Sequence, residues 1–322
     1  MGFNKTRHVF IVNPAAGRKS AVSQLTQQIE KAFAARGEGP VIEITSYPGH
    51  AAKLAEQYAK AGVETAFYAC GGDGTLREVA QGICQAGHIG HCSLGVVPVG
   101  SGNDFIRCFG PGAREAFLDI DRLIDGETRM IDLLKTSAGV SVNIVSAGFD
   151  ASIAQNMVHF KNWPMVSGHA AYQLSLAKCF FTSLNHSYAF EIDETPYEKD
   201  WYIFAVAANG RFYGGGFQAA PYASLQDGLI DVILVPSLSR LKVLSMIGHF
   251  KNGRHLKRYP FVKFLRCKKI KILTGGIIGL NLDGEIFPAV DPVVEVLPAK
   301  IAFRFPKSLA TIPEGPEADR ID

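Results

Sequence analysis

Residues 69–79 read Ala69-Cys70-Gly71-Gly72-Asp73-Gly74-Thr75-Leu76-Arg77-Glu78-Val79. An apolar run over residues 65–69 precedes the glycines, and helical spacing begins at Thr75. Because glycine has no Cβ and tolerates φ > 0, the backbone here can turn tightly and direct its N–H groups into one small space. The start of the following helix adds unpaired N–H groups and the positive end of the helix dipole, which favour an anion. The stretch therefore predicts a phosphate-binding loop between a strand and a helix, and Asp73 within it indicates a metal nucleotide.

A simpler interpretation of these residues is an ordinary turn, with Thr75 as the helix N-cap and Glu78 completing a capping box. Two common nucleotide motifs do not fit. A dinucleotide-binding Gly-x-Gly-x-x-Gly would need a glycine where Arg77 stands, and residues 17–20 lack the Gly-Lys-Ser order of a P-loop. The density of glycine is greater than a turn requires, so phosphate binding is the favoured hypothesis.

The length and charge of the chain indicate two domains and an anionic partner. The 322 residues are sufficient for two cores, and the net charge of +3 is modest. Asp and Glu are absent from Val232 to Leu282, a span that holds eleven Lys and Arg residues. Such a span indicates attraction to nucleic acid or to an anionic membrane surface. The alternative is a solvated face whose charge is balanced by acidic residues elsewhere in the fold.

Cysteine usage and hydropathy predict a cytoplasmic protein. The six cysteines are dispersed without a C-x-x-C pair, which favours neither a zinc site nor a disulfide framework and is typical of a reducing compartment. The N-terminus has no apolar signal core, and no apolar stretch reaches the roughly 20 residues of a membrane span. We expect the protein to meet a membrane only from its surface.

Residues 1–129 predict an α/β domain with a doubly wound, mainly parallel sheet, because strands and helices alternate there. The expected strands cover 9–12, 41–45, 65–69 and 94–97, and the expected helices cover 20–36, 50–61 and 75–85. Ligands of such sheets gather at the carboxyl ends of the strands. The loops that begin at Asn13, Gly71 and Pro98 should therefore meet and form a nucleotide site, although Asn103 and Asp104 also suit an Asx-turn.

Residues 130–299 predict a second domain, a mainly antiparallel β-sandwich, because strand-like segments follow at short spacing. The expected strands cover 130–134, 140–145, 188–192, 201–207, 229–235, 269–273, 277–282, 293–297 and 301–305, with helices at 170–181 and 241–250. The tail over 307–322 is rich in Pro, Gly and acids and is predicted to be disordered.

Two turns of this second region carry carboxylates. Residues 224–231 suit a hairpin or a small hard-cation site built partly from carbonyl groups. Asp283-Gly284-Glu285 stands between apolar runs. On its own, an Asp-Gly pair is a common hairpin signal, so both a structural and a catalytic role remain open at this point.

Taken together, the motifs resemble the diacylglycerol kinase catalytic-domain family in its bacterial soluble form, which is related to sphingosine and ceramide kinases. The resemblance rests on Asn13-Pro14 to Gly17, Gly71 to Thr75, Pro98 to Phe105, Gly148-Phe149-Asp150, Asn209, Gly214 to Gly216, Asp227-Gly228-Leu229 and Asp283-Gly284-Glu285. NAD kinases and phosphofructokinases share the glycine–aspartate motif. The combination of the Gly-Ser-Gly-Asn-Asp loop with the late Asp-Gly-Glu is more specific to the diacylglycerol kinase family.

The resemblance implies a lipid kinase with an NAD kinase-like fold, an ATP site between the two domains and a final strand near 300–306 that returns to the first domain. It implies that Asp283 is the general base and that Asp73 is linked to catalytic Mg²⁺. The ATP-binding set that it implies is Asn13, Thr45, Gly71, Gly72, Asp73, Gly74, Thr75, Gly100, Ser101, Asn103 and Glu285. It further implies a structural magnesium site at Ser224, Asp227 and Leu229. One departure is Arg77, where the family usually has Asn.

Three functions follow as hypotheses. The leading one is transfer of the γ-phosphate of ATP to a diacylglycerol-like lipid hydroxyl, as a peripheral enzyme of lipid metabolism and phospholipid biosynthesis at the cytoplasmic face of an anionic membrane. The others are an NAD kinase-like enzyme with a soluble acceptor and, because of Arg77, a non-catalytic nucleotide-binding membrane adaptor. No nucleic-acid partner is expected, and the sequence leaves open the identity of the lipid and a homodimer.

Overall fold

The structure is a computed structural model that describes residues 6–17, 21–34, 36–37, 39–87, 89–149, 152, 175, 178–179, 182, 184–307 and 309. Its contacts divide the chain into two compact units. The first comprises Met1–Leu133 with Pro298–Pro313, and the second comprises Leu134–Leu297 with Glu314–Asp322.

Strands and helices alternate in the first unit. In chain order they are β1 (Arg7–Val12), α1 (Ala21–Ala34), β2 (Val41–Ile44), α2 (His50–Lys60), β3 (Thr65–Gly71), α3 (Asp73–Gln85), β4 (Cys92–Pro98), α4 (Asp104–Arg107), α5 (Ala113–Leu118), α6 (Ile120–Ile124) and β5 (Glu127–Thr136). The sheet has the order β2-β1-β3-β4, and every neighbouring pair is parallel. All residues of β3 are buried, as expected for a central strand that is covered on both faces. The predicted doubly wound parallel sheet is confirmed.

An aromatic cluster fills the core beside β4 and explains the three short helices that the sequence did not predict. Phe105 of α4, Phe117 of α5 and Phe109 between them pack against Phe303 and Phe305, with ring centroids between 5.0 and 6.2 Å apart. Helices of four to six residues bury too few side chains to show a helical period, so burial of these rings is what fixes them.

The second unit is built on antiparallel strands. In chain order its elements are β6 (Gly139–Ser141), β7 (Ile144–Gly148), β8 (His186–Ile192), β9 (Thr195–Ala208), β10 (Ile230–Pro236), α7 (Arg240–Lys251), α8 (His255–Arg258), β11 (Lys263–Cys267), β12 (Lys269–Leu273), β13 (Ile277–Leu282), β14 (Glu285–Val290) and the start of β15 (Val293–Phe305). The strand order is β14-β13-β7-β9-β8-β12. The long strand β9 pairs with β8 along its first part, and with both β7 and β10 along its last part. Apolar residues of these strands form two separate buried clusters, and the predicted β-sandwich is confirmed.

The last strand, β15, contributes to both units. Residues 293–295 pair antiparallel with β12, whereas Ala302 and Phe303 pair in parallel with Ser93 and Leu94 of β4. Residues 293–297 and 301–305 were expected as two strands, and the structure corrects this to one. Strand β15 also pairs with β5, and it runs through Pro298 without a break.

Three further differences concern the second unit. The expected strand at 140–145 is broken at residues 142–143 into β6 and β7. Strands β11 and β14 were not predicted, because Lys263 and Arg266 disturb the apolar pattern of β11 and Pro288 lies in β14. Pro288 is tolerated because β14 is an edge strand whose neighbour is β13. Most of the expected helix at 170–181, the tail beyond residue 309 and Asp150 lie outside the described residues.

Candidate active site

Three loops converge at the carboxyl edge of the parallel sheet in the first unit. The Asn13 N–H donates to Cys70 O at 3.0 Å, and the Gly100 N–H donates to Gly71 O at 3.0 Å. The Asn13 Nδ2 donates to Thr75 Oγ1, also at 3.0 Å. The loops after β1, β3 and β4 are therefore joined by direct hydrogen bonds, as the strand order predicts.

Two of these loops approach so closely that only glycine fits between them. A Cβ on Gly71 would collide with the side chain of Thr75, and a Cβ on Gly100 would lie 2.5 Å from Gly72 Cα. Only glycine fits at position 100, whereas a Cβ on Gly72 would make an ordinary contact of 3.6 Å with Gly100 Cα. The main chain of the two loops and the start of α3 therefore lie together, an arrangement that suits phosphate groups.

Asp73 joins the two loops. Its Oδ2 accepts from the Asp104 N–H at 3.0 Å, and its Oδ1 accepts from the Phe105 N–H at 3.1 Å, so it holds the start of α4. Burial raises the pKa of Asp73, while the two main-chain N–H groups act in the opposite direction. Each carboxylate oxygen can accept two bonds, so a bond to magnesium is compatible with these contacts and stays a prediction.

The other residues of the expected ATP set in this unit lie at the same edge. Thr45 is buried, and its N–H donates to Val12 O at 2.9 Å. Asn103 is buried with a left-handed backbone (φ 50°), and its Nδ2 donates to Gly100 O at 2.6 Å. Ser101 is exposed in the same loop, and Gly74 lies in the first turn of α3. The fit of each residue to ATP stays a prediction.

The capping box considered for this loop is wrong. Helix α3 begins at Asp73 with Gly72 as its N-cap, so Thr75 already lies inside the helix. Glu78 serves α2 instead, because its two carboxylate oxygens accept from the Gly49 and Ala51 N–H groups at 2.8 and 3.2 Å. Arg77 is buried, with 6% of its surface exposed, and therefore does not extend into solvent.

Asp283 is a carboxylate of the second unit that accepts four hydrogen bonds. With Gly284 it forms a two-residue hairpin turn in which both φ angles are positive, at 51° and 94°, as a type I′ turn requires. Its Oδ1 accepts from Ser141 Oγ, Asn143 N and Ile144 N at 2.7, 3.1 and 2.9 Å, and its Oδ2 accepts from Val142 N at 2.8 Å. Four donors from one short loop therefore fix the position and orientation of this carboxylate.

No role was predicted for the loop that holds Asp283. Residues 140–145 were interpreted as a plain strand, but residues 142–143 leave the ladder and turn their N–H groups toward Asp283. Asn209 supports the same loop, since its Nδ2 donates to Val142 O at 2.8 Å and its N–H to Asn143 O at 2.9 Å. The sequence signal for this loop was the occurrence of two polar residues, Ser141 and Asn143, within an apolar strand pattern. Both are buried.

The residues expected to bind a structural magnesium lie in one turn. Ser224 Oγ accepts from Gln226 N at 3.4 Å, and Asp227 Oδ1 accepts from Leu229 N at 3.1 Å. Nearby, burial raises the pKa of Asp231 to about 6 even though Arg266 lies 2.9 Å away and opposes the shift. Hydroxyl, carboxylate and carbonyl oxygens are the donors that magnesium prefers, so the donor set fits the ion. Among the described residues, no three His, Cys, Asp or Glu side chains gather into a metal-binding group.

Two family descriptions match this chain. The diacylglycerol kinase catalytic domain matches residues 7–136, and the YegS C-terminal NAD kinase beta sandwich-like domain matches residues 143–304. The chain belongs to the diacylglycerol kinase catalytic-domain family. This is a family of lipid kinases, and the predicted resemblance is confirmed.

Relatives of this family cover nearly the whole chain. A Pseudomonas fluorescens protein named "Probable lipid kinase YegS-like" is 30% identical over 273 residues, which are 83% of this chain and 86% of that protein. The diacylglycerol kinase of Bacillus subtilis is 26% identical over 276 residues, or 85% and 88% of the two chains. The crystal structure of a diacylglycerol kinase from Bacillus anthracis has the same fold, with a TM-score of 0.67 at 19% identity over 94% of this chain and 98% of that one.

Proposed function

We propose that this protein is an ATP-dependent lipid kinase that transfers the γ-phosphate of ATP to a diacylglycerol-like hydroxyl at the cytoplasmic membrane surface. The observation that carries the proposal is the junction of the two loops, a cradle of bare backbone at Gly71, Gly72 and Gly100. A Cβ on Gly71 would collide there with the Thr75 side chain, and a Cβ on Gly100 would collide with Gly72. Membership in a kinase family supports ATP as the ligand of this cradle.

In the first unit, the residues of the cradle bind and orient the phosphates. Main-chain N–H groups of residues 71–75 and the N-terminus of α3 stabilise the phosphate charge, and Asn13 orients the Thr75 hydroxyl through its 3.0 Å hydrogen bond. Magnesium would supply further charge neutralisation when bound with ATP. Phosphoryl transfer depends mostly on such positioning and electrostatic stabilisation.

In the second unit, Asp283 is the proposed general base. The acceptor hydroxyl oxygen forms a bond to the γ-phosphorus, its proton passes to the Asp283 carboxylate, and the bond from the γ-phosphorus to the leaving ADP oxygen breaks. The bonds from Ser141, Asn143 and their neighbours hold the carboxylate in one orientation, which a proton acceptor needs. Glu285, two residues later in β14, stays a predicted ATP contact.

The test is incubation of the purified protein with γ-labelled ATP, magnesium and a total bacterial lipid extract, followed by separation of organic from aqueous label. We expect label in a lipid whose mobility identifies the acceptor. Label that stays in the aqueous phase on a new soluble product would favour an NAD kinase-like acceptor. ATP binding without any transfer would favour the non-catalytic adaptor.

A further inference from the structure

Helix α7 exposes apolar side chains on the face that points away from its own unit. Leu241, Leu244 and Ile247 are 81%, 54% and 42% exposed. Their spacing of three residues places them along one side of the helix. The opposite side is packed, because Met246 and Phe250 are buried in an apolar cluster of the second unit. Single exposed leucines are ordinary, but an aligned stripe on one helix indicates a contact surface.

The helix cannot rotate this stripe inward without breaking contacts. The Phe250 ring lies 4.3 Å from the ring of His255, between centroids, and His255 Nε2 lies 3.0 Å from Ala219 O. The Arg254 N–H donates to His249 O at 2.8 Å, which joins the end of α7 to the start of α8. The stripe is therefore a fixed feature of the surface.

Basic residues lie on the same helix as the stripe and on the segment that follows it. The exposed basic residues of α7, α8 and the turn between them are Arg240, Lys242, Lys251, Arg254, Lys257 and Arg258. Asp and Glu are absent from Val232 to Leu282, so the segment itself supplies no acid that would neutralise them. An apolar stripe flanked by basic residues is complementary to a bilayer that contains anionic lipids, where apolar side chains enter the acyl boundary and cations meet the phosphates.

We propose that α7 is the membrane-docking helix of this protein, with Leu241, Leu244 and Ile247 inserted into the interface of an anionic bilayer. The inference rests on the proposed function in one respect, since a lipid kinase must reach an acceptor that resides in a bilayer. It adds which element makes the contact and which lipids favour it.

The experiment is co-sedimentation of the full chain with vesicles of phosphatidylglycerol and phosphatidylcholine, without ATP. Leu241→Ser combined with Leu244→Ser should weaken binding by at least about tenfold, because each buried methylene contributes to partitioning. Ile277→Ser is the matched control, since Ile277 is 77% exposed in the same unit but lies in β13. It should leave binding unchanged, and an equal loss in both variants would overturn the proposal.

Charge is tested separately. Lys251→Gln and Lys257→Gln should each weaken binding about fivefold, in keeping with the contribution of a basic residue near an anionic surface. Binding should fall as salt rises and should be weak on pure phosphatidylcholine vesicles. Equal binding to both vesicle types at all salt concentrations would contradict the role of the basic residues.

A partner other than lipid would give a different result. If the doubly substituted protein changes its sedimentation coefficient in the absence of vesicles while vesicle binding is unaffected, the stripe is a contact between copies and the proposal fails. Asp283→Asn should bind vesicles like the wild type. A wild-type protein that docks through α7 but transfers no phosphate would refute the proposed function and leave the docking inference standing.

Discussion

Gly71 is a residue at which an absent side chain matters. It ends β3, and its missing Cβ leaves the space that the Thr75 side chain occupies. The Thr75 hydroxyl in turn accepts from Asn13. A single methyl group here would displace Thr75 and, through it, Asn13, both of which belong to the loops of the proposed phosphate cradle.

Gly71→Ala is therefore expected to weaken ATP binding by tenfold or more and to lower the free energy of unfolding by about 1–3 kcal/mol, the usual cost of overpacking. Calorimetric titration with ATP and urea denaturation measure the two effects. Gly90→Ala is the control, because a Cβ on exposed Gly90 meets no atom within 4 Å. Unchanged ATP affinity in Gly71→Ala would show that the cradle does not bind the nucleotide.

His255 gives a pH dependence that does not involve the proposed site. It is fully buried, and burial lowers its pKa from 6.5 to about 4. Its Nε2 lies 3.0 Å from Ala219 O, and hydrogen bonding to main-chain oxygens only partly offsets the effect of burial. The folded protein therefore keeps this imidazole neutral at a pH where the unfolded chain binds a proton.

At His255 the unfolded state binds more protons than the folded state between pH 6.5 and about 4, so the contribution of this residue to stability should be complete above pH 6.5 and should fall as the pH drops toward 4. The loss from this residue is at most about 3–4 kcal/mol at roughly 1.4 kcal/mol per pKa unit. Urea denaturation across this range measures it. His255→Gln should make the profile shallower between these pH values without flattening it, because burial also lowers the pKa of His8 to about 4. An unchanged slope in that variant would contradict the assignment.

At the scale of elements, helices α2 and α3 pack unusually closely at Gly82. A Cβ on Gly82 would overlap the carbonyl oxygen of Ala52 and would lie 2.8 Å from the Ala55 side chain. This contact adds to the hydrogen bonds from Gly49 and Ala51 to Glu78, which join the same two helices. The position of α3, and with it the start of the helix behind the phosphate loop, depends on this packing.

Gly82→Ala is expected to destabilise the protein by about 1–3 kcal/mol in urea denaturation, because the added methyl group must separate the two helices. Gly248→Ala is the matched control, since Gly248 lies within α7 and a Cβ there meets nothing within 4 Å. That substitution should leave stability unchanged or raise it by up to about 1 kcal/mol through helix propensity. Equal effects of the two substitutions would mean that the close packing carries no cost.

At the scale of the whole molecule, the sequence predicted features that depend on neighbouring residues. The buried run of β3 followed by Gly71-Gly72 predicted a strand and a turn, because apolar periodicity and glycine act locally. The sequence did not predict that residues 141–144 would donate hydrogen bonds to Asp283. That contact joins positions about 140 residues apart and forms only when the fold brings them together. The capping box predicted for Thr75 and Glu78 was wrong for a similar reason, because Glu78 accepts a hydrogen bond at the start of α2 and not within its own helix.

The resemblance implied that Asp283 is a base, and the structure adds that the same carboxylate supports a loop. Asp283→Asn would place an amide N–H₂ opposite main-chain donors, which we expect to cost about 1–3 kcal/mol of stability. Loss of activity in that variant alone would therefore not separate catalysis from folding. Ser141→Ala provides the separation, because it removes one hydrogen bond to Asp283 and keeps the carboxylate.

The measurement that tests the central claim is the initial rate of label transfer from γ-labelled ATP to extracted lipid for the wild type, Ser141→Ala and Asp283→Asn, with ATP binding and unfolding measured on each. We expect Ser141→Ala to lose about 1–2 kcal/mol of stability and to keep its rate within about tenfold of the wild type. We expect Asp283→Asn to bind ATP and to lose about 10²–10⁴-fold in rate, the range for removal of a general base. Lipid labelled at the wild-type rate by Asp283→Asn would contradict the assignment of the base, and no labelled lipid from the wild type would contradict the lipid kinase itself.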